Sequence, residues 1–95
     1  MKIRSPEISR VAKPGQFAMI SKWQIKELLL KRPFSFYQIE PEKESIGILF
    51  KKAGKGTSIL AESKPGATVE LIGPLGNGFY IPKNARKIAV VGRGI

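Results

Sequence analysis

The stretch Arg32-Pro33-Phe34-Ser35-Phe36-Tyr37-Gln38-Ile39 decides how this chain reads. Its aromatic and polar residues alternate, which is the pattern of a strand with one face packed and one face open. Phe34 and Phe36 share one face of such a strand, and Pro33 and Ser35 share the other. Pro33 removes a backbone donor and fixes the chain's direction at the strand entrance. A polar run, Glu40-Pro41-Glu42-Lys43-Glu44-Ser45, follows as a turn. Residues 46–51 answer it as a second strand, so residues 34–51 are expected to form a hairpin.

Working outward, Lys13-Pro14-Gly15 is a turn signal and residues 16–20 after it read as a strand. Residues 23–30 carry five apolar side chains, Trp23, Ile25, Leu28, Leu29 and Leu30, and their spacing fits either a short helix or an extended excursion. Residues 57–63 read as a short helix with Thr57 or Ser58 as N-cap and Pro65-Gly66 as its stop. Residues 67–72 form another expected strand, closed by Gly73-Pro74. Leu75-Gly76-Asn77-Gly78-Phe79 is a turn-rich loop. Residues 87–91 are a continuous apolar run that ends in glycines, the character of a strand buried on both faces. Several short strands, many turns and one short helix point to an all-β fold, a small antiparallel β-barrel.

Composition narrows the chemistry. A chain of 95 residues makes one domain at most. With no cysteine, a disulfide scaffold, a Cys-ligated zinc site and a Cys-ligated iron–sulfur cluster are excluded within it. With no histidine, the commonest general base and metal ligand is missing. No metal site and no catalytic residue is assigned on this reading. No apolar run reaches the length of a membrane span, and the N-terminus lacks the apolar core of a secretory signal. A cytoplasmic protein without membrane attachment is expected. The net charge of +10 fits nucleic acid, an acidic membrane surface, or anionic ligands and acidic protein partners, and equally a Lys-rich soluble surface with no specific partner.

Two short motifs carry candidate chemistry. Arg32 offers a planar fork that can grip a phosphate with two hydrogen bonds. The hydroxyl of Ser35 can reach a ring nitrogen or carbonyl. Lys51-Lys52-Ala53-Gly54-Lys55-Gly56-Thr57 is a basic, glycine-containing loop that opens a helix, a setting in which backbone N–H groups approach an anion. It is not a Walker loop, since Gly56 follows Lys55 and Leu49 stands where that motif needs its first glycine. Read alone, each motif also fits an ordinary surface Arg or a solvated turn.

Taken in order, Pro14-Gly15-Gln16-Phe17, Arg32-Pro33-Phe34-Ser35, Gly54-Lys55-Gly56-Thr57, Lys64-Pro65-Gly66 and Gly73-Pro74-Leu75-Gly76-Asn77-Gly78-Phe79 resemble the flavin-binding barrel of the ferredoxin reductase superfamily. The spellings are most similar to the branch formed by electron-transfer subunits of dihydroorotate dehydrogenase, which serve pyrimidine biosynthesis. The resemblance implies a Greek-key barrel over residues 1–86 that binds FAD. It implies that Arg32 contacts the pyrophosphate, that Ser35 lies against the isoalloxazine beside Pro33 and Phe34, that Leu49, Phe50 and Lys51 line the cofactor, and that Gly56 and Thr57 bind its phosphates. Residues 87–95 then match the first strand and glycine turn of the family's nicotinamide-binding α/β domain, although Arg93 stands where relatives carry glycine. The rest of that domain and the family's iron–sulfur cysteines have no counterpart here.

The family's N-terminal strand has almost no counterpart before Ser5. A barrel opened by one strand exposes unpaired N–H and C=O groups. The expectation is therefore self-association through that open edge, a catalytic dehydrogenase subunit as partner, or partial disorder over residues 1–12. A different class of function stays open: a basic β-barrel that binds RNA or single-stranded DNA by stacking on Phe34, Phe36 and Tyr37.

Overall fold

The computed structural model describes residues 1–22 and 31–94. The helix-or-strand reading of residues 23–30 and the last residue of the 87–95 segment lie outside the described residues. Among the described residues, six strands form two antiparallel sheets of three. The first sheet has β1 (Lys2–Arg4), β5 (Ser45–Gly47) and β4 (Gln38–Glu40), in that order. The second has β3 (Arg32–Ser35), β2 (Phe17–Ser21) and β6 (Glu70–Leu75). This is the antiparallel, barrel-like architecture expected from the turns and alternations.

The hairpin is more divided than its sequence pattern. The register Gln38↔Gly47, Ile39↔Ile46, Glu40↔Ser45 joins β4 to β5. A 3-10 turn over Pro41–Lys43 and a left-handed Glu44 (φ 53°) close it. Phe34 and Ser35, however, pair with Ala18 and Phe17 in the other sheet. The chain changes sheets at Phe36-Tyr37. The Phe36 amide donates to Gln16 O (3.3 Å) and the Tyr37 amide to Gly47 O (2.8 Å), one toward each sheet. The alternation changes phase here: Phe34 and Phe36 are half-buried on even positions, Tyr37 and Gln38 are both exposed, and Ile39 resumes on an odd position.

β6 runs through Gly73-Pro74 instead of stopping there. Between Phe17↔Leu75 and Met19↔Ile72 the register shifts, because β6 spends one more residue than β2 over this interval. A β-bulge of this kind sits well on a glycine. A Cβ on Gly73 would lie 3.1 Å from the Cβ of Ala18.

The N-terminal segment carries β1, three residues long, where the sequence left almost no strand. Ion pairs tie it across its sheet, Lys2 Nζ–Glu40 Oε2 at 2.6 Å and Arg4 Nη2–Glu44 Oε2 at 2.7 Å. A helix, α1 (Pro6–Val11), follows. Pro6 in its first turn, Glu7 near its start and Arg10 near its end suit the backbone orphans and the dipole there. The expected single helix is thus joined by a second short one. α2 (Lys55–Ala61) starts two residues earlier than expected, with Gly54 and not Thr57 or Ser58 at the N-cap. Residues 87–91 form no strand, and Ile88, Val90 and Val91 are exposed. A strand of the doubly buried type needs neighbours on both sides, and none of the described strands pairs with it.

Ile20 of β2, Ile48 and Leu60 of α2 form the core cluster. Met1, Ile3, Phe34, Phe50, Val69 and Leu71 pack around it, half-buried. Each fully buried apolar side chain stabilises the fold by about 1.5–3 kcal/mol. Among the described residues, no helix is long and apolar enough to cross a membrane.

Candidate functional site

β3 sets the first group of candidate residues. Phe34 faces the core cluster and meets the Phe50 ring edge-on, with centroids 5.8 Å apart and planes at 66°. Side chains alternate along a strand, so Pro33 and Ser35 lie on the opposite, exposed face. Arg32, opposite Ile20 of β2, opens the strand with its side chain exposed.

The Phe34–Phe50 contact brings the second group alongside. Leu49 is exposed, Phe50 is half-buried, and residues 51–55 are exposed. The sequence holds no carboxylate between Glu44 and Glu62, while Lys51, Lys52 and Lys55 fall within that interval. The loop is therefore a cationic surface, and its chemistry suits an anion.

Thr57 organises that loop. Its Oγ1 accepts hydrogen bonds from the amides of Ala53 (2.9 Å) and Gly54 (3.0 Å), and its hydroxyl donates to Gly54 O (3.2 Å). This is half of a capping box, with the N3 side chain reaching back to the N-cap amide. Gly56 is buried in the first turn of α2, and Leu60 anchors the helix to the cluster that Phe34 also packs against. β3 and α2 are thus fixed to one core. Gly54 belongs to the motif quoted from the sequence, but its place as N-cap differs from the Thr57 or Ser58 expected there, although the Gly-x-x-Thr spacing is itself a cap signal.

A groove of about 710 Å3 lies elsewhere, between β1 and the chain from Ser63 to Leu71. Of the nine residues nominated from sequence, only Phe50 lines it. The other eight are on β3, at residues 49 and 51, and in the first turn of α2.

The structure also bears on the nucleic-acid reading. Stacking platforms present their rings to solvent. Phe34 and Phe36 are half-buried, and only Tyr37 of the three aromatics is exposed. No observation favours that reading.

Comparison with known proteins adds a second line. No protein-family model matches the chain. The dihydroorotate dehydrogenase B (NAD(+)) electron transfer subunit of Desulforamulus reducens is 41% identical over 95 residues, all of this chain and 36% of the relative. The similarity to that electron transfer subunit thus runs along the full 95 residues of this chain. The subunit of Clostridium acetobutylicum is 43% identical over 83 residues, 87% of this chain and 32% of the relative. That of Shouchella clausii is 37% identical over 90 residues, 93% of this chain and 35% of the relative. The chain spans about a third of the length of these curated relatives. Among solved structures, an NADH-dependent reduced ferredoxin–NADP oxidoreductase, studied for flavin-based electron bifurcation, superposes with a TM-score of 0.76. It is 32% identical, and the match covers 83% of this chain and 28% of that one. The fold is that of the flavin-binding domain of ferredoxin reductases, as the motif order implies.

Proposed function

We propose that this chain is an FAD-binding electron-transfer module of the kind found in the electron transfer subunit of dihydroorotate dehydrogenase B. The observation that carries this reading is the similarity to those subunits along the entire chain. The geometry supports it, because the three segments that carry the nominated residues, β3, residues 49–51 and the start of α2, are anchored to one core through Phe34, Phe50 and Leu60. Bound flavin supplies the redox chemistry, and the protein supplies placement and electrostatics.

In this reading Arg32 grips the pyrophosphate, and Lys51 adds positive charge nearby. Ser35 and Pro33 present the outer face of β3 to the ring system. Leu49 offers exposed apolar surface beside them, while Phe34 and Phe50 support the site from the core side. The backbone at Gly56 approaches the phosphates without a side chain in the way. Thr57 shapes the loop through its three internal hydrogen bonds. The flavin unit falls within residues 1–86, and electrons pass to or from a partner, the catalytic dehydrogenase subunit.

The test is a visible absorption spectrum after incubation with excess FAD and desalting. Retained flavin bands, lost in the Arg32→Ala and Thr57→Ala double variant, are the expected result. A colourless wild-type protein would overturn the reading for this chain.

A further inference from the structure

Ser35 stands at the last rung of the ladder between β3 and β2, opposite Phe17. One residue on, the chain leaves this sheet. The Phe36 amide still reaches back to Gln16 O, and the Tyr37 amide has turned to Gly47 O. The first of these bonds is 3.3 Å long and the second 2.8 Å, so the corner is held more weakly on the β2 side. The position of Ser35 therefore depends on how firmly the start of β2 is itself held.

The other neighbour of β2 supplies that hold. The Gln16 side chain accepts the Lys13 amide through Oε1 and donates to Gly76 O through Nε2, both at 2.9 Å. Phe17 pairs with Leu75 as well as with Ser35, which puts the three residues in one row on one face of the sheet. A Cβ on Gly76 would lie 3.1 Å from the Phe17 ring, so bare glycine lets the loop after β6 close on that row. Gln16 thus bonds toward β3 with its backbone and toward the end of β6 with its side chain. Arg32 is at the opposite end of β3, paired with Ile20, beyond the reach of this clasp.

We propose that Gln16 is a positioning residue for the flavin ring. Its side chain pins the start of β2 to the loop after β6, and its carbonyl thereby sets the corner at Phe36 and the Ser35 hydroxyl before it. The role rests on the flavin reading above and adds a residue that acts through Ser35 and not by contact with the cofactor. It governs the ring end of the site and leaves the phosphate end to Arg32 and the loop before α2.

The test is a double-mutant cycle read by fluorescence titration with FAD. Ser35→Ala is expected to weaken FAD about fivefold, the loss of one neutral hydrogen bond, and Gln16→Ala about threefold. The double variant is expected to bind no more weakly than Ser35→Ala alone, whereas the losses of Gln16→Ala and Arg32→Gln multiply. Gln16→Glu keeps the acceptor for Lys13, loses the donor to Gly76, and is expected to match Gln16→Ala. Gly66→Ala strains a left-handed turn with nothing within 4 Å of the added Cβ. It controls for lost stability and is expected to leave FAD affinity unchanged. In the isotopically labelled chain without flavin, Gln16→Ala is expected to shift the Ser35 and Phe36 amide resonances, and Gly66→Ala to leave them in place. Wild-type FAD binding combined with independent losses at Gln16 and Ser35, with indifference to either residue, or with an equal loss in Gly66→Ala would overturn the proposal and leave the flavin reading standing. Unmoved Ser35 and Phe36 amides would overturn it with or without flavin. A wild type that binds no FAD would overturn the flavin reading and this role together.

Discussion

Gln16 Nε2 donates to the carbonyl of Gly76 at 2.9 Å, across sixty residues of sequence. The same side chain accepts the Lys13 amide through Oε1 at 2.9 Å. The Phe79 amide donates to Pro14 O, also at 2.9 Å. The turn that leads into β2 and the loop that leaves β6 are therefore clasped together. Two motifs that resemble the reductase family meet here, beside the end of β3, where Phe17 pairs with Ser35 and the Phe36 amide donates to Gln16 O. Gln16→Ala removes one donor and one acceptor from this exposed clasp. It is expected to lower the unfolding free energy by about 1 kcal/mol, seen as a lower urea midpoint with an unchanged slope.

The glycines of the two turns separate conformation from crowding. Gly76 has φ +78°, and a Cβ there would lie 3.1 Å from the Phe17 ring. Gly66 has φ +92° with nothing within 4 Å of a built Cβ. Gly66→Ala is expected to cost about 1 kcal/mol from the left-handed backbone alone. Gly76→Ala adds the clash and is expected to cost more, about 2 kcal/mol. Thermal unfolding of both variants checks the order.

These clasps show how much the sequence makes legible and where it stops. Lys13-Pro14-Gly15 marks its turn because proline and glycine restrict the backbone locally. The alternation around Phe34 marks a strand for the same kind of reason. The shift of phase between Phe36 and Ile39 marks a break in the strand, but which sheet each part joins depends on partners distant in sequence. The apolar run at 87–91 carries the pattern of a buried strand, but a pattern cannot supply the neighbours that a strand needs. The Ser5-Pro6-Glu7 start of α1 carries a helix-start signal in its proline and acidic first turn. In the site, residue types at Arg32 and residues 51–57 announced an anion's chemistry. The engagement of the Thr57 hydroxyl with Ala53 and Gly54 required the coordinates.

Glu40 makes β1 sensitive to pH. The Lys2 ammonium hydrogen-bonded to it, together with the charges of Lys2 and Lys43, holds its carboxyl below the ordinary carboxylate range, against a smaller opposing effect of burial. A carboxyl depressed in the folded state stabilises the fold above its unfolded value, and this contribution is lost as pH falls through the folded value. Wild type is therefore expected to exceed Glu40→Gln in stability at pH about 7, with the gap closing below about pH 4. Urea unfolding of both proteins across that range is the check, and a gap that stays constant would remove Glu40 from the account.

The central claim is that Arg32 and the loop before α2 hold the phosphates of a flavin. Fluorescence titration of the chain with FAD and with riboflavin tests it most directly, since the two share a ring system and FAD adds the pyrophosphate with its adenosine, and the Arg32 variant separates the phosphate contribution from the adenosine. The account predicts that FAD binds at least about tenfold tighter than riboflavin, that salt weakens FAD alone, and that Arg32→Gln removes most of the difference. Equal affinity for the two ligands, or an FAD affinity indifferent to Arg32, would contradict it.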